Sequence, residues 1–87
     1  MDTNEPNTKD VYNSALAMVL KLRKTELGLT FEDLEASTGI KVQTLKRLVS
    51  DQRSIHMGDF IKLTTALNLD PADAIQSAAD RVENTSA

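Results

Sequence analysis

The stretch from Thr30 to Leu48 restricts the fold more than any other part of this chain. It reads Thr30-Phe31-Glu32-Asp33-Leu34-Glu35-Ala36-Ser37-Thr38-Gly39-Ile40-Lys41-Val42-Gln43-Thr44-Leu45-Lys46-Arg47-Leu48. A short helical pattern runs into one glycine, and a second short helical pattern follows at once. Two short helices joined by so tight a bend must touch where they cross. Leu34, Ile40, Leu45 and Leu48 supply the apolar contacts there. Leu45 and Leu48 share one face of the second helix, because residues three apart on a helix are neighbours. The opposite face, with Gln43, Lys46 and Arg47, is therefore free, and Val42 and Thr44 stand at its leading end.

Helical spacing and stop signals extend this reading to the whole chain. A first helix is predicted from about Lys9 to Leu27, with Tyr12, Leu16, Val19, Leu20 and Leu27 as its apolar positions. Gly28 ends it, since glycine enters the left-handed conformation cheaply. Thr30 is the expected N-cap of the second helix, with Asp33 in the reciprocal capping position; that helix ends near Thr38. The third runs from Val42 to Val49 or Ser50, followed by the polar loop Asp51-Gln52-Arg53-Ser54. The fourth spans Met57 to Leu67, with Phe60, Leu63, Ala66 and Leu67 inward and Asn68 as its cap. Asp70-Pro71-Ala72-Asp73 opens a fifth helix that continues to about Val82: Asp70 can cap, and Pro71 needs no amide hydrogen there. No segment alternates as a strand would. The prediction is an all-α orthogonal bundle of five helices, with residues 1–8 as a disordered lead-in, 9–83 as one domain and 84–87 as a frayed tail.

With 87 residues the chain can bury one modest core. It has no cysteine, which excludes disulfides and thiolate metal sites and fits a reducing compartment. Met1 to Thr8 is polar and lacks the basic flank and apolar run of a signal peptide. The longest apolar run, Ala15 to Leu20, is far too short to cross a bilayer. A cytoplasmic protein with no membrane partner is expected.

The formal net charge of -3 argues at first against a nucleic-acid partner, but its distribution argues the other way. Lys21, Arg23, Lys24, Lys41, Lys46, Arg47 and Arg53 outnumber the five acidic residues between Lys21 and Arg53, whereas the remainder carries three basic and eight acidic residues. Positive charge thus collects on and beside the second helix of the motif. Its free face also has the chemistry for reading base edges in a major groove. Gln pairs with adenine, Arg with guanine, and Val or Thr methyls touch the thymine methyl. Thr30, Lys41, Ser50, Gln52 and Arg53 are placed to hold phosphates and set the register.

Gly28-Leu29-Thr30, Leu34, Gly39-Ile40, Leu45 and Leu48, followed by Phe60, Leu63 and Ala66-Leu67, resemble the Cro and phage-repressor type of helix-turn-helix domain, XRE-like and lambda-repressor-like. The resemblance covers about residues 16–76. It implies a five-helix DNA-binding domain acting as a homodimer on a two-fold operator, in a bacterium or phage-infected host, as a transcriptional regulator and commonly a repressor. It assigns base reading to Val42, Gln43, Thr44 and Arg47, to which the free face adds Lys46. It assigns backbone contact to Thr30, Phe31, Ser50 and Arg53.

The chain also departs from that pattern. Glu35 stands where a small residue is usual and must reach out of the crossing or pair. Lys41 replaces a Ser or Thr cap. Phe31 replaces a polar phosphate contact. Val49 occupies the place of an acidic residue that would pair with an Arg of the first helix, which leaves Lys24 free to meet phosphate.

Other features are read structurally. His56 alone cannot form a metal site and is a surface or cap residue. Glu32-Asp33 falls in a first helical turn, where acidic residues suit the helix dipole. No nucleophile or glycine-rich loop supports catalysis, so no enzyme activity, cofactor or metal is expected. Ala72, Ile75, Ala79 and Val82 form one stripe on the fifth helix. It can dock on the chain's own core, serve as a two-fold dimer seam through Ile75, Ala79 and Val82, or do both, with Ile75 inward and the end near Val82 shared. A protein-interaction module, such as an antitoxin or anti-repressor, is the competing function.

Overall fold

The computed structural model describes residues 10–86, which form five α-helices: α1 (Val11–Leu27), α2 (Phe31–Thr38), α3 (Val42–Val49), α4 (Met57–Ala66) and α5 (Pro71–Ser86). Among the described residues there is no strand. The expected lead-in over residues 1–8, the expected first helical residue Lys9, and Ala87 lie outside the described residues.

The bounds follow from local chemistry. Asp10 starts α1 because its carboxylate accepts the backbone N–H groups of Tyr12 (3.0 Å) and Asn13 (3.1 Å), two of the donors a helix start leaves unpaired. Thr30 and Asp33 form a full capping box at α2: the Asp33 N–H donates to Thr30 Oγ1 at 3.0 Å and the Thr30 N–H donates to Asp33 Oδ2 at 2.9 Å. Three helices end on a left-handed residue whose own amide and the next one turn back onto the last turn. Gly28 (φ 67°), Asp51 (φ 62°) and Asn68 (φ 52°) play this part for α1, α3 and α4. In α3 the Asp51 N–H reaches Leu48 O and the Gln52 N–H reaches Arg47 O; the same pair of bonds recurs after α1 and α4. Gly39 (φ 78°) makes the turn between α2 and α3. At the carboxyl end, α5 runs to Ser86, a turn past the expected stop at Val82. No Gly or Pro stands between Val82 and Ser86 to break it.

One apolar cluster holds α1 to α4 together. Leu20, Leu34, Ile40, Leu45, Leu48, Leu63 and Leu67 form its buried centre, with Leu29, Phe31, Ile55, Ala66 and Leu69 packed around it. Phe60 and Val49 are buried as well. Thr64 is the one fully buried polar side chain among the described residues, and its hydroxyl donates to Ile61 O at 3.1 Å, which satisfies it.

Two faces differ from the sequence reading. On α1 the buried residues are Ala15, Ala17 and Leu20, while Tyr12 and Leu27 lie on the surface. On α5 the inward residues are Ala74 and Ala78, and Ile75 is half exposed, not inward. α1 and α5 pack against each other more extensively than any other helix pair. Small side chains suit such a contact because the residues between two helices set how closely they approach. Met18 and Leu22 of α1 and Ile75 of α5 are exposed.

Arg23 joins these layers. Its Nε donates to Leu67 O at 3.0 Å and its Nη2 to Asn68 O at 3.2 Å, which ties α1 to the end of α4. A 3.5 Å ion pair with Glu26 steadies it. Arg23 therefore serves the fold, although it belongs by sequence to the basic cluster.

Candidate nucleic-acid interface

Leu45 and Leu48 have no solvent exposure and fix α3 on the core by one side. Its opposite side carries Gln43, Lys46 and Arg47, all exposed, with Val42 and Thr44 half-buried at the leading end. The helix is too short to hold this orientation alone; the buried leucines impose it. Lys41 occupies the N-cap position without a side-chain cap bond. The leading amides of α3 are thereby left to solvent or to an incoming phosphate oxygen. Glu35 is half-buried on α2 and makes no ion pair among the described residues.

Around α3 lie the residues expected to meet the sugar-phosphate backbone. Thr30, Lys41, Ser50, Gln52 and Arg53 are all exposed. The Ser50 hydroxyl donates within the helix, to Lys46 O at 2.7 Å, so its hydrogen is already in use. Lys24 forms no ion pair among the described residues. Its ammonium lies 4.2 Å from the centroid of the half-buried Phe31 ring, and the Lys46 ammonium lies 5.8 Å from the same centroid. Val49 is buried, so it leaves no acidic partner for α1 at that place.

The loop after α3 is held by residues that sequence reasoning missed. The Asp51 carboxylate accepts Asn13 Nδ2–H at 2.8 Å and a short hydrogen bond from the Ser14 hydroxyl, while the Asn13 side-chain oxygen accepts the Ile55 N–H at 3.0 Å. The start of α1 thus clasps both ends of the segment that presents Gln52 and Arg53. An Asp directly after a helix signals a left-handed cap. No sequence spacing, however, points to Asn13 as its partner.

Hydrogen bonding by the Thr30 backbone N–H, and then by the Thr30 side chain, lowers the Asp33 pKa below 3.8; slight desolvation opposes this, and the Lys24 charge adds to it. A carboxylate with a depressed folded-state pKa stabilises the fold above its unfolded value, and that contribution disappears as pH falls through the folded value. Asp33→Asn should therefore melt below the native protein at pH 7. The difference should close as pH drops from 3.8 through the lower folded pKa, which paired thermal melts would show. A gap unchanged down to strong acid would remove the charge from this explanation.

His56 sits at the N-cap position of α4, exposed and without a side-chain cap bond. Among the described residues no group of three or more His, Asp or Glu stands close enough to hold a metal ion, and no helix is long and apolar enough to cross a membrane.

α2, a left-handed glycine and a core-anchored α3 with an exposed polar face define a helix-turn-helix, the class that presents its second helix to DNA. The family model described as Helix-turn-helix matches residues 19–73, and the chain belongs to the XRE family of helix-turn-helix proteins, a family of DNA-binding regulators. No curated protein and no solved structure matches the chain.

Proposed function

We propose that this DNA-binding regulator is a Cro-like protein or repressor of phage or bacterial origin, which occupies a specific operator by laying α3 in the major groove. The exposed Gln43, Lys46 and Arg47 face, anchored from behind by Leu45 and Leu48, carries this reading. Val42, Gln43, Thr44, Lys46 and Arg47 read bases; Lys24, Thr30, Phe31, Lys41, Ser50, Gln52 and Arg53 line the backbone around them. Regulation follows from occupancy, since a bound protein excludes polymerase or a competing regulator. The site of action is the cytoplasm.

The proposed operator is pseudo-palindromic and the proposed bound form a homodimer. One small module contacts too few base pairs for strong operator choice. α5 supplies a seam through Ile75, with Ala79 and Val82 half-buried beside it. Met57 and Ile61 of α4 add exposed apolar surface, and α4 packs on α5. The same apolar residues favour the second reading, a protein-interaction module such as an antitoxin or anti-repressor.

Selection of bound genomic fragments by the purified protein separates the two. A DNA regulator should enrich one pseudo-palindromic site, with affinity falling steeply as salt rises because counterions leave the phosphates on binding. Failure to retain any duplex, together with a protein partner that stays bound in high salt, would establish the interaction module instead.

A further inference from the structure

We propose that Phe31 is an aromatic anchor that fixes the Lys24 and Lys46 ammonium groups together beside the exposed face of α3, where they grip the phosphodiester backbone of the duplex. The inference rests on the DNA-binding reading above and deepens it by naming what holds the nucleic acid beside α3.

Three helices meet at this one ring. Lys24 comes from the last turn of α1, Phe31 is the first residue of α2, and Lys46 lies on the exposed face of α3. Both ammonium groups are within the range in which the electron-rich face of an aromatic ring attracts a cation. The ring is itself fixed, because Phe31 is half-buried and packs on the leucine cluster. The Asp33 carboxylate is near enough for the Lys24 charge to help lower its pKa. Even so, neither Lys24 nor Lys46 forms an ion pair among the described residues.

Two like charges drawn to one ring repel each other, and an anionic oxygen placed against them relieves that repulsion. A lysine on a flexible stem normally loses rotamer freedom when it meets a phosphate. Lysines already held by the ring lose less, so the phosphate contact is preorganised. An apolar residue thereby stands where a polar phosphate contact would be expected, and the phosphate chemistry passes to its two neighbours. Lys46 moves from the base-reading set to the backbone set. Phe31 is a positioning residue that acts through both lysines.

The test measures binding to the selected operator duplex and to a random duplex over a salt series. It compares the native chain with Phe31→Leu, Phe31→Tyr, Lys24→Met and the Phe31→Leu, Lys24→Met pair. Phe31→Leu should weaken both duplexes alike, by about fivefold, and Phe31→Tyr should restore binding because it keeps the ring face. Lys24→Met should reduce the slope of log affinity against log salt by about 0.9 in the native background and by much less in the Phe31→Leu background.

Pentafluorophenylalanine at position 31 keeps the shape of the ring and reverses the charge of its face. This variant remains informative if Phe31→Leu does not fold. It should reproduce the loss in affinity while leaving the melting temperature near native. Native affinity with the fluorinated ring, or equal Lys24→Met effects in both backgrounds, would overturn the anchor. If duplex still binds and Arg47→Ala still impairs operator choice, such a result removes the anchor alone. Absence of any duplex binding by the native chain removes the DNA-binding reading with it.

Discussion

Leu45→Ala is expected to lower the free energy of unfolding by about 2–5 kcal/mol, the usual cost of emptying a fully buried leucine site. Leu45 has no solvent exposure and belongs to the central cluster with Leu20, Leu34, Ile40, Leu48, Leu63 and Leu67. Small domains carry only about 5–15 kcal/mol of stability in all, so this one truncation removes a large share. The melting temperature should fall by roughly 8–40 °C, given about 4–8 °C per kcal/mol for a domain of this size. A fall in operator affinity should accompany it even where the chain stays folded, because Leu45 holds α3 from behind. Denaturant titration and duplex binding on the same preparation check both. Loss of stability with full operator affinity would show that the orientation of α3 does not depend on its inner leucines.

Arg47→Ala acts from the other side of the same helix. Arg47 is exposed and contributes to no buried contact, so its removal should leave the melting temperature near native. Its fork of donors matches guanine, and losing such a pair costs about 1–3 kcal/mol on the cognate site. Affinity for random DNA should fall much less, so the ratio between the two affinities is the quantity to measure. An equal loss on both duplexes would make Arg47 a phosphate clamp. Read together, the two substitutions separate the support of the reading surface from its chemistry.

The turn and the inner faces of α2 and α3 were legible because each rests on local signals. Gly39 is needed for a left-handed turn, the Thr30–Asp33 box starts α2, and Leu45 and Leu48 stand three apart on one helix face, with Leu34 and Ile40 before them. The inward face of α5 was misread for a different reason. Periodicity finds the stripe with the largest apolar residues, whereas the contact with α1 takes the smallest. Ala74 and Ala78 therefore go inside, and Ile75 faces out. No local pattern states how closely two helices far apart in sequence will approach. The same limit hid the clasp of Asp51 by Asn13 and Ser14, and the gathering of Lys24 and Lys46 on Phe31. Those contacts exist only once α1, α2 and α3 are assembled. Arg23 illustrates the converse, since charge counting groups it with the basic cluster and the fold uses it to tie α1 to α4.

The most direct measurement is nuclear magnetic resonance of the labelled protein mixed with its selected duplex, following backbone amides and contacts between side-chain and base protons. Insertion of α3 in the major groove requires the largest shifts over 41–47 and direct proton contacts from Gln43 and Arg47 to major-groove base edges. Shifts confined to α4 and α5, with the Gln43 and Arg47 side chains unchanged and still solvated, would contradict it.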